Sequence, residues 1–206
     1  MSAALLALAL LARSTTPPDG AALAREVQAF YEHTRDLETR FQQTYTYGAG
    51  GRRQVSRGTL RVKKPGKMRW DYDTPEKKTI VVNGSHLVQY EPEENQVYED
   101  PHFDASAMSA AVTFLLGRGS LEREFVCNSD APGRLILTPR VPDPRVAQIV
   151  LTVGEGGVVN STEVTDGSGN VNAVVFEGLK RDVGLEDRVF VLDLPKDVHR
   201  VLAPGG

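Results

Sequence analysis

One cysteine, one tryptophan and four histidines in 206 residues leave little material for most kinds of catalysis. A lone Cys127 cannot form an intramolecular disulfide and, with no reactive signature around it, reads as a small buried apolar side chain. His33, His86, His102 and His199 are scattered with no pair at ligand spacing, so neither a metal site nor a metal-borne cofactor is expected. There is no Gly-x-Ser-x-Gly element, and the glycines at 154–157 fall between two strand patterns, where a hairpin turn explains them better than a phosphate cradle. Asp71 and Asp73 share a strand face beside Arg69 and read as a solvated charged surface. No enzymatic constellation and no cofactor are therefore expected. Strong charge of one sign is also missing: 24 Lys and Arg against 27 Asp and Glu give a net charge of -3. General attraction to nucleic acid is excluded, despite a basic cluster of Arg57, Arg61, Lys63, Lys64, Lys67 and Arg69. Long apolar runs are missing too. Residues 3–12 are too short to span a bilayer but long enough for the core of a secretory signal, so residues 1–20 are expected to be a signal peptide and flexible junction. No cysteine follows that run, so no lipid anchor is expected.

What the chain does have is period-two alternation. Met68, Trp70 and Tyr72 fall on one face of a strand, with Arg69, Asp71 and Asp73 on the other. Similar strands are expected at 37–45, 54–63, 67–73, 78–82, 86–91 and 95–99, and again at 124–128, 134–138, 146–153, 157–165, 171–178 and 188–193. Gly, Pro and Asn-Gly turns separate them. Two stretches break this pattern. Leu23, Val27, Phe30 and Thr34 recur at helical spacing after a candidate N-cap, Asp19; Met108, Val112, Leu115 and Leu116 form a second helical stripe that stops at Gly117. About eleven sequential strands with two amphipathic helices favour one large antiparallel sheet or barrel in a single domain, residues 21–206. Such a sheet would line up Leu60, Val62, Met68, Trp70, Leu87 or Val88, Leu135, Leu137, Ile149 and Leu151 on its concave side.

An ordered series of segments resembles the LolA family of periplasmic lipoprotein carriers. It runs from Phe41-Gln42-Gln43, through Gly58-Thr59-Leu60-Arg61-Val62-Lys63-Lys64-Pro65-Gly66-Lys67-Met68-Arg69-Trp70 and Thr74-Pro75, to Val82-Asn83-Gly84, Phe114-Leu115-Leu116-Gly117 and Leu135-Ile136-Leu137-Thr138-Pro139. The resemblance implies a mainly β fold: an incomplete antiparallel barrel under an α-helical lid, enclosing a hydrophobic cavity for acyl chains. Leu60, Val62, Met68, Trp70, Leu137 and Leu151 would form its wall, with Met108, Val112, Leu115, Leu116, Leu23 and Val27 on the lid. It also implies that Lys64, before the proline, latches the lid where relatives often carry Arg. A planar fork is there replaced by a point charge. Lipoproteins would be taken from an inner-membrane ABC transporter to an outer-membrane receptor by a monomer in the periplasm. A half-barrel sensor of envelope stress, or a carrier of another lipid, would share these features.

Overall fold

The computed structural model describes residues 19–48, 50–104 and 119–203, and its centre is one twelve-stranded sheet. The strands are β1 (Asp36–Thr46), β2 (Arg53–Lys63), β3 (Lys67–Thr74), β4 (Lys78–Asn83), β5 (His86–Glu91), β6 (Gln96–Asp100), β7 (Phe125–Ala131), β8 (Arg134–Pro139), β9 (Gln148–Val153), β10 (Val159–Thr165), β11 (Val171–Arg181) and β12 (His199–Leu202). Their spatial order is β12-β6-β5-β4-β3-β2-β1-β11-β10-β9-β8-β7. Every neighbouring pair is antiparallel except β12 with β6. β7 and β12 do not pair with each other, so the sheet curls without closing into a barrel.

The expected alternation sorts the two faces. Leu37, Val62, Met68, Val82 and Leu87 align across five strands, and Thr39, Leu60, Trp70 and Ile80 form the next row. Apart from Thr39 and Ile80, these rows, with Leu135, Leu137, Ile149, Leu151 and Val174 from β7–β11's half, make one hydrophobic cluster on the concave side. Gly58 is essential to it: a Cβ there would lie 1.9 Å from the Asp71 carbonyl oxygen and 2.8 Å from the Phe41 ring.

Helix α1 (Gly20–Glu32) covers this cluster. Asp19 caps it as expected, its carboxylate accepting from the amides of Ala21 (2.9 Å) and Ala22 (3.1 Å). The helix ends at Glu32, short of Thr34 in the expected stripe, because Thr34 bonds back to Tyr31 and Phe30 and Asp36 already begins β1. Its buried residues are Gly20, Ala24, Val27 and Tyr31. The stripe is thus turned slightly from the expected one, and Leu23 and Phe30 flank it, partly buried. α1 also sits close to the β9–β10 turn, where Gly157 has φ +85° and a Cβ would meet the Glu26 carbonyl at 2.4 Å. A short helix, α2 (Leu121–Glu124), leads into β7.

Two expectations fail at the C-terminus. Residues 188–193 were read as a strand but hold a 3-10 turn, Asp187–Phe190. Their alternation is real, since Phe190 is 1% exposed and Val191 63%. It reflects a strap crossing the sheet, with no strand beside it to pair. β12 escaped notice because it has four residues and reaches β6 only after this crossing. The strap, residues 182–198, runs over the convex side, so the face around Arg69 is covered where the sequence suggested open solvent. Val81, Val97, Phe190 and Val198 are buried there, outside the concave cluster.

Candidate functional site: the covered concave face

The floor of the concave side is built from residues whose strand register turns them inward. Leu60, Val62, Met68, Leu137 and Leu151 are buried, as is Val27 from α1, and all belong to one contiguous cluster. Trp70 and Leu23 pack against it and remain half-buried. The sequence-predicted wall residues are therefore brought together with the first helix. Of the alternatives at β5, Leu87 joins the concave cluster, whereas Val88 pairs with Val81 on the convex side. Met108, Val112, Leu115 and Leu116 lie outside the described residues.

The two halves of this floor differ. Under α1, on β8 and β9, Leu135, Leu137 and Ile149 are at most 1% exposed. On β3–β5, Trp70, Tyr72, Ile80 and Leu87 are only half-buried. Phe41 joins the halves, its ring edge-on to Trp70 at 4.7 Å and to Tyr72 at 5.1 Å. The Trp70 indole donates to the Met68 sulfur at 2.9 Å. The Tyr72 hydroxyl donates to Gln43 at 3.1 Å, and Gln43 donates to Asn172 at 2.9 Å. Burial pushes the Tyr72 phenol up to about 12, so it stays neutral at any physiological pH. Tyr31 is shifted upward by its burial as well, and its phenol bonds the backbone of Val159. The polar atoms on this face are thus neutral and mutually satisfied. Nothing here resembles an acid-base pair, and among the described residues no group of three His, Cys, Asp or Glu side chains could hold a metal. The described residues thus present an apolar surface with a few paired polar groups.

Lys64 sits at the edge of this floor. Its ammonium donates to the Tyr31 carbonyl, one of the last four carbonyls of α1 that lack a partner within the helix. Its own amide donates to the Arg35 carbonyl at 2.8 Å. A cation at a helix C-terminus is favoured by the backbone dipoles. Desolvation pulls the Lys64 pKa below the ordinary lysine value, partly offset by Glu32 nearby. The surrounding crevice, lined by Tyr31, Thr34, Asp36 and Val62 among others, leaves no room for water.

Three aromatic participants were absent from the expected site. Phe41 and Tyr72 carried a signal, since each alternates in phase with an inward-facing strand. Tyr31 carried one too, at i+4 from Val27 and i+7 from Ala24. The polar tyrosine tip obscured it, because the bond at Val159 comes from a strand far away in sequence.

Comparison with known proteins agrees with this geometry. The sequence model of the family described as Outer membrane lipoprotein carrier protein LolA matches residues 32–193. An outer-membrane lipoprotein carrier protein of Alkalilimnicola ehrlichii is 29% identical over 205 residues, covering 99% of this chain and 95% of the relative. Another of that name, from Methylobacillus flagellatus, is 27% identical over 199 residues, covering 95% of each. Among solved structures, an uncharacterized conserved protein from Thermus thermophilus shares the fold with a TM-score of 0.56 at 13% identity, covering 89% of this chain and 98% of its own.

Proposed function

We propose, from the premise that this chain belongs to the LolA family of outer membrane lipoprotein carrier proteins, that it carries the acyl chains of lipoproteins on the concave face of its sheet. One observation bears most of the weight: a contiguous apolar floor whose β8–β9 half is sealed by a helix while its β3–β5 half stays partly open around Trp70. Each methylene removed from water is worth about 0.8 kcal/mol, so free lipoprotein tails would aggregate or stay in their membrane. Acyl chains entering beside Trp70 displace the α1 contacts with chemically similar ones, and the cost of moving that cover keeps the affinity low enough for release.

The wall is formed by Leu60, Val62, Met68, Trp70, Leu137 and Leu151, and the cover by Leu23 and Val27 together with Met108, Val112, Leu115 and Leu116. Lys64 is the latch. Its bond to the helix end supports this role, because that bond must break if α1 swings away. The protein acts as a monomeric binding protein without catalysis, in the periplasm, after loss of residues 1–20, with residues 21–206 as one carrier domain. It receives cargo from an inner-membrane ABC transporter and yields it to an outer-membrane receptor.

Trp70, the only tryptophan, gives the test. A triacylated lipopeptide with brominated tails should quench its emission on binding, and Leu60→Asp should abolish the quenching, since an unpaired charge cannot be buried there cheaply. Unquenched emission in the parent protein would refute the site. Lys64→Leu should still bind the lipopeptide but fail to hand it to acceptor vesicles; normal transfer would remove the latch.

A further inference from the structure

Between Glu38 and Asp71 the chain carries no carboxylate, although acidic residues outnumber basic ones overall. Apart from Lys64, which bonds the end of α1, the cations of this stretch fall into two groups. Towards one end of the strands they are neutralised: Arg40 by Asp73 at 3.2 Å, Arg61 by Glu38 and Asp71, Arg69 by Asp71, and Lys63 and Lys67 by Asp187. At the far end of the β1–β2 hairpin they are not. Arg52, Arg53 and Arg57 are exposed and form no ion pair among the described residues. Arg52 lies over the Tyr47 ring at 5.4 Å, and Arg57 donates only to Gln42.

The hairpin also projects. The last pair between β2 and β3 is Arg57 with Thr74, so residues 53–56 run beyond β3 with no strand on that side. Arg53, Val55 and Arg57 share the convex face, and Gln42 pairs with both Arg57 and Val175, which brings a second exposed valine beside them. Val55 is 41% exposed, Val175 44% and Tyr47 39%, its ring edge-on to Tyr45 at 4.8 Å. Four carboxylates, Glu76, Glu91, Glu93 and Glu94, with Lys77 and Lys78, line a cleft with Gln54, Ser56 and Tyr72, on the other face of the same strand. Asp166 in the adjoining turn is occupied by Ser168 and Asn170. The end of the hairpin therefore gathers unpaired cations with exposed aromatic and aliphatic side chains, Arg53, Val55 and Arg57 on the convex face and Arg52 with Tyr47, one residue out of phase, at the tip.

We propose that this hairpin corner docks on a bilayer bearing anionic phospholipids, with Arg52, Arg53 and Arg57 on the phosphates and Tyr47 and Val55 in the interfacial zone. An acidic protein surface would satisfy the arginines yet offer nothing specific to Tyr47 and Val55, whereas a lipid interface presents phosphate and hydrocarbon at adjacent depths. The inference concerns the outside of the sheet and stands or falls without the cargo site.

The test is co-sedimentation of the whole protein with vesicles of phosphatidylcholine alone or mixed with an equal part of phosphatidylglycerol. Binding should require the anionic lipid and weaken as salt is raised from about 0.01 M to about 1 M, where screening shortens from about 30 to about 3 Å. Combining Arg52→Ala, Arg53→Ala and Arg57→Ala should lower the affinity on the order of a hundredfold, at roughly fivefold for each arginine. Quenching of Trp70 by brominated lipopeptide should persist in that variant. Equal binding to both vesicles, no binding to either, or full binding by the triple variant would each overturn the proposal. Capture of an acidic protein without vesicle binding would overturn it in favour of a protein partner.

Discussion

The sheet has a cover on each side, and the two are fastened differently. On the concave side, α1 rests on the floor through Ala24, Val27 and Tyr31, and its directional ties are few and spread out: the Lys64 ammonium on its last turn, the Tyr31 phenol on the Val159 backbone, the exposed pair of Arg25 with Glu122, and the Leu121 amide on Gln28. On the convex side, the strap is pinned by many directional bonds. Lys63 donates to the Leu185 carbonyl and to Asp187, Lys67 pairs with Asp187, Arg69 donates to the Val189 carbonyl, and Asp36 accepts from the amides of Val183 and Gly184. Phe190 then plugs the convex side beneath it. Apolar contacts are non-directional and can be exchanged for others of the same chemistry, whereas hydrogen bonds and ion pairs are lost outright when geometry changes. The concave cover, proposed above to yield to acyl chains, rests more on the replaceable kind of contact. The one that keeps the strands in shape is held by the other kind.

The largest expected effect tests the pinned side. Phe190→Ala removes a fully buried ring and should cost about 3–5 kcal/mol of stability in urea unfolding. A loss below about 1 kcal/mol would mean that the strap is a passive appendage. The movable side should respond to a smaller change. Asp19→Ala removes the N-cap and should cost about 1 kcal/mol, while speeding uptake of brominated lipopeptide in stopped-flow quenching of Trp70. Uptake at an unchanged rate would show that α1 is not the moving cover. The smallest effect is a matter of pH. Hydrogen bonds from Lys63, then Lys67, hold the Asp187 carboxyl at about 2, below its usual 3.8. A carboxyl depressed in the folded state contributes stability above its unfolded value and loses it as pH falls through the folded one. Protection of the strap amides, relative to their intrinsic exchange at each pH, should therefore fall between about pH 4 and pH 2, and Asp187→Asn should flatten that fall. Protection falling first in α1 would reverse the ranking of the two covers.

Much of this contrast was legible in the sequence, and unevenly so. Alternation placed Leu60, Val62, Met68 and Trp70 on one face correctly, since a strand has only two faces and a burial pattern selects between them. Asp19 was legible because a cap acts within three residues. The strap was not. Val189, Phe190, Val191 and Leu192 form a short apolar run of the kind a strand carries, and only a tertiary crossing distinguishes a plug from a ladder member. Phe41, Tyr31 and Tyr72 were readable as inward-facing but not as site residues, because what gathers them is the register of β1 with β2 and β3 and the docking of α1. Those are long-range facts. The ties from Lys63 and Lys67 to Asp187 span about half the chain, and neither end carries a local mark.

The unjoined seam between β7 and β12 has a mechanical consequence. A sealed tube can widen only by breaking rungs or slipping its shear. A split ring changes girth by flexing, with each rung it possesses left intact. In the proposed carrier, such a curl relaxes or tightens around slimmer or bulkier fatty loads as a spring clip holds pipes of unequal bore.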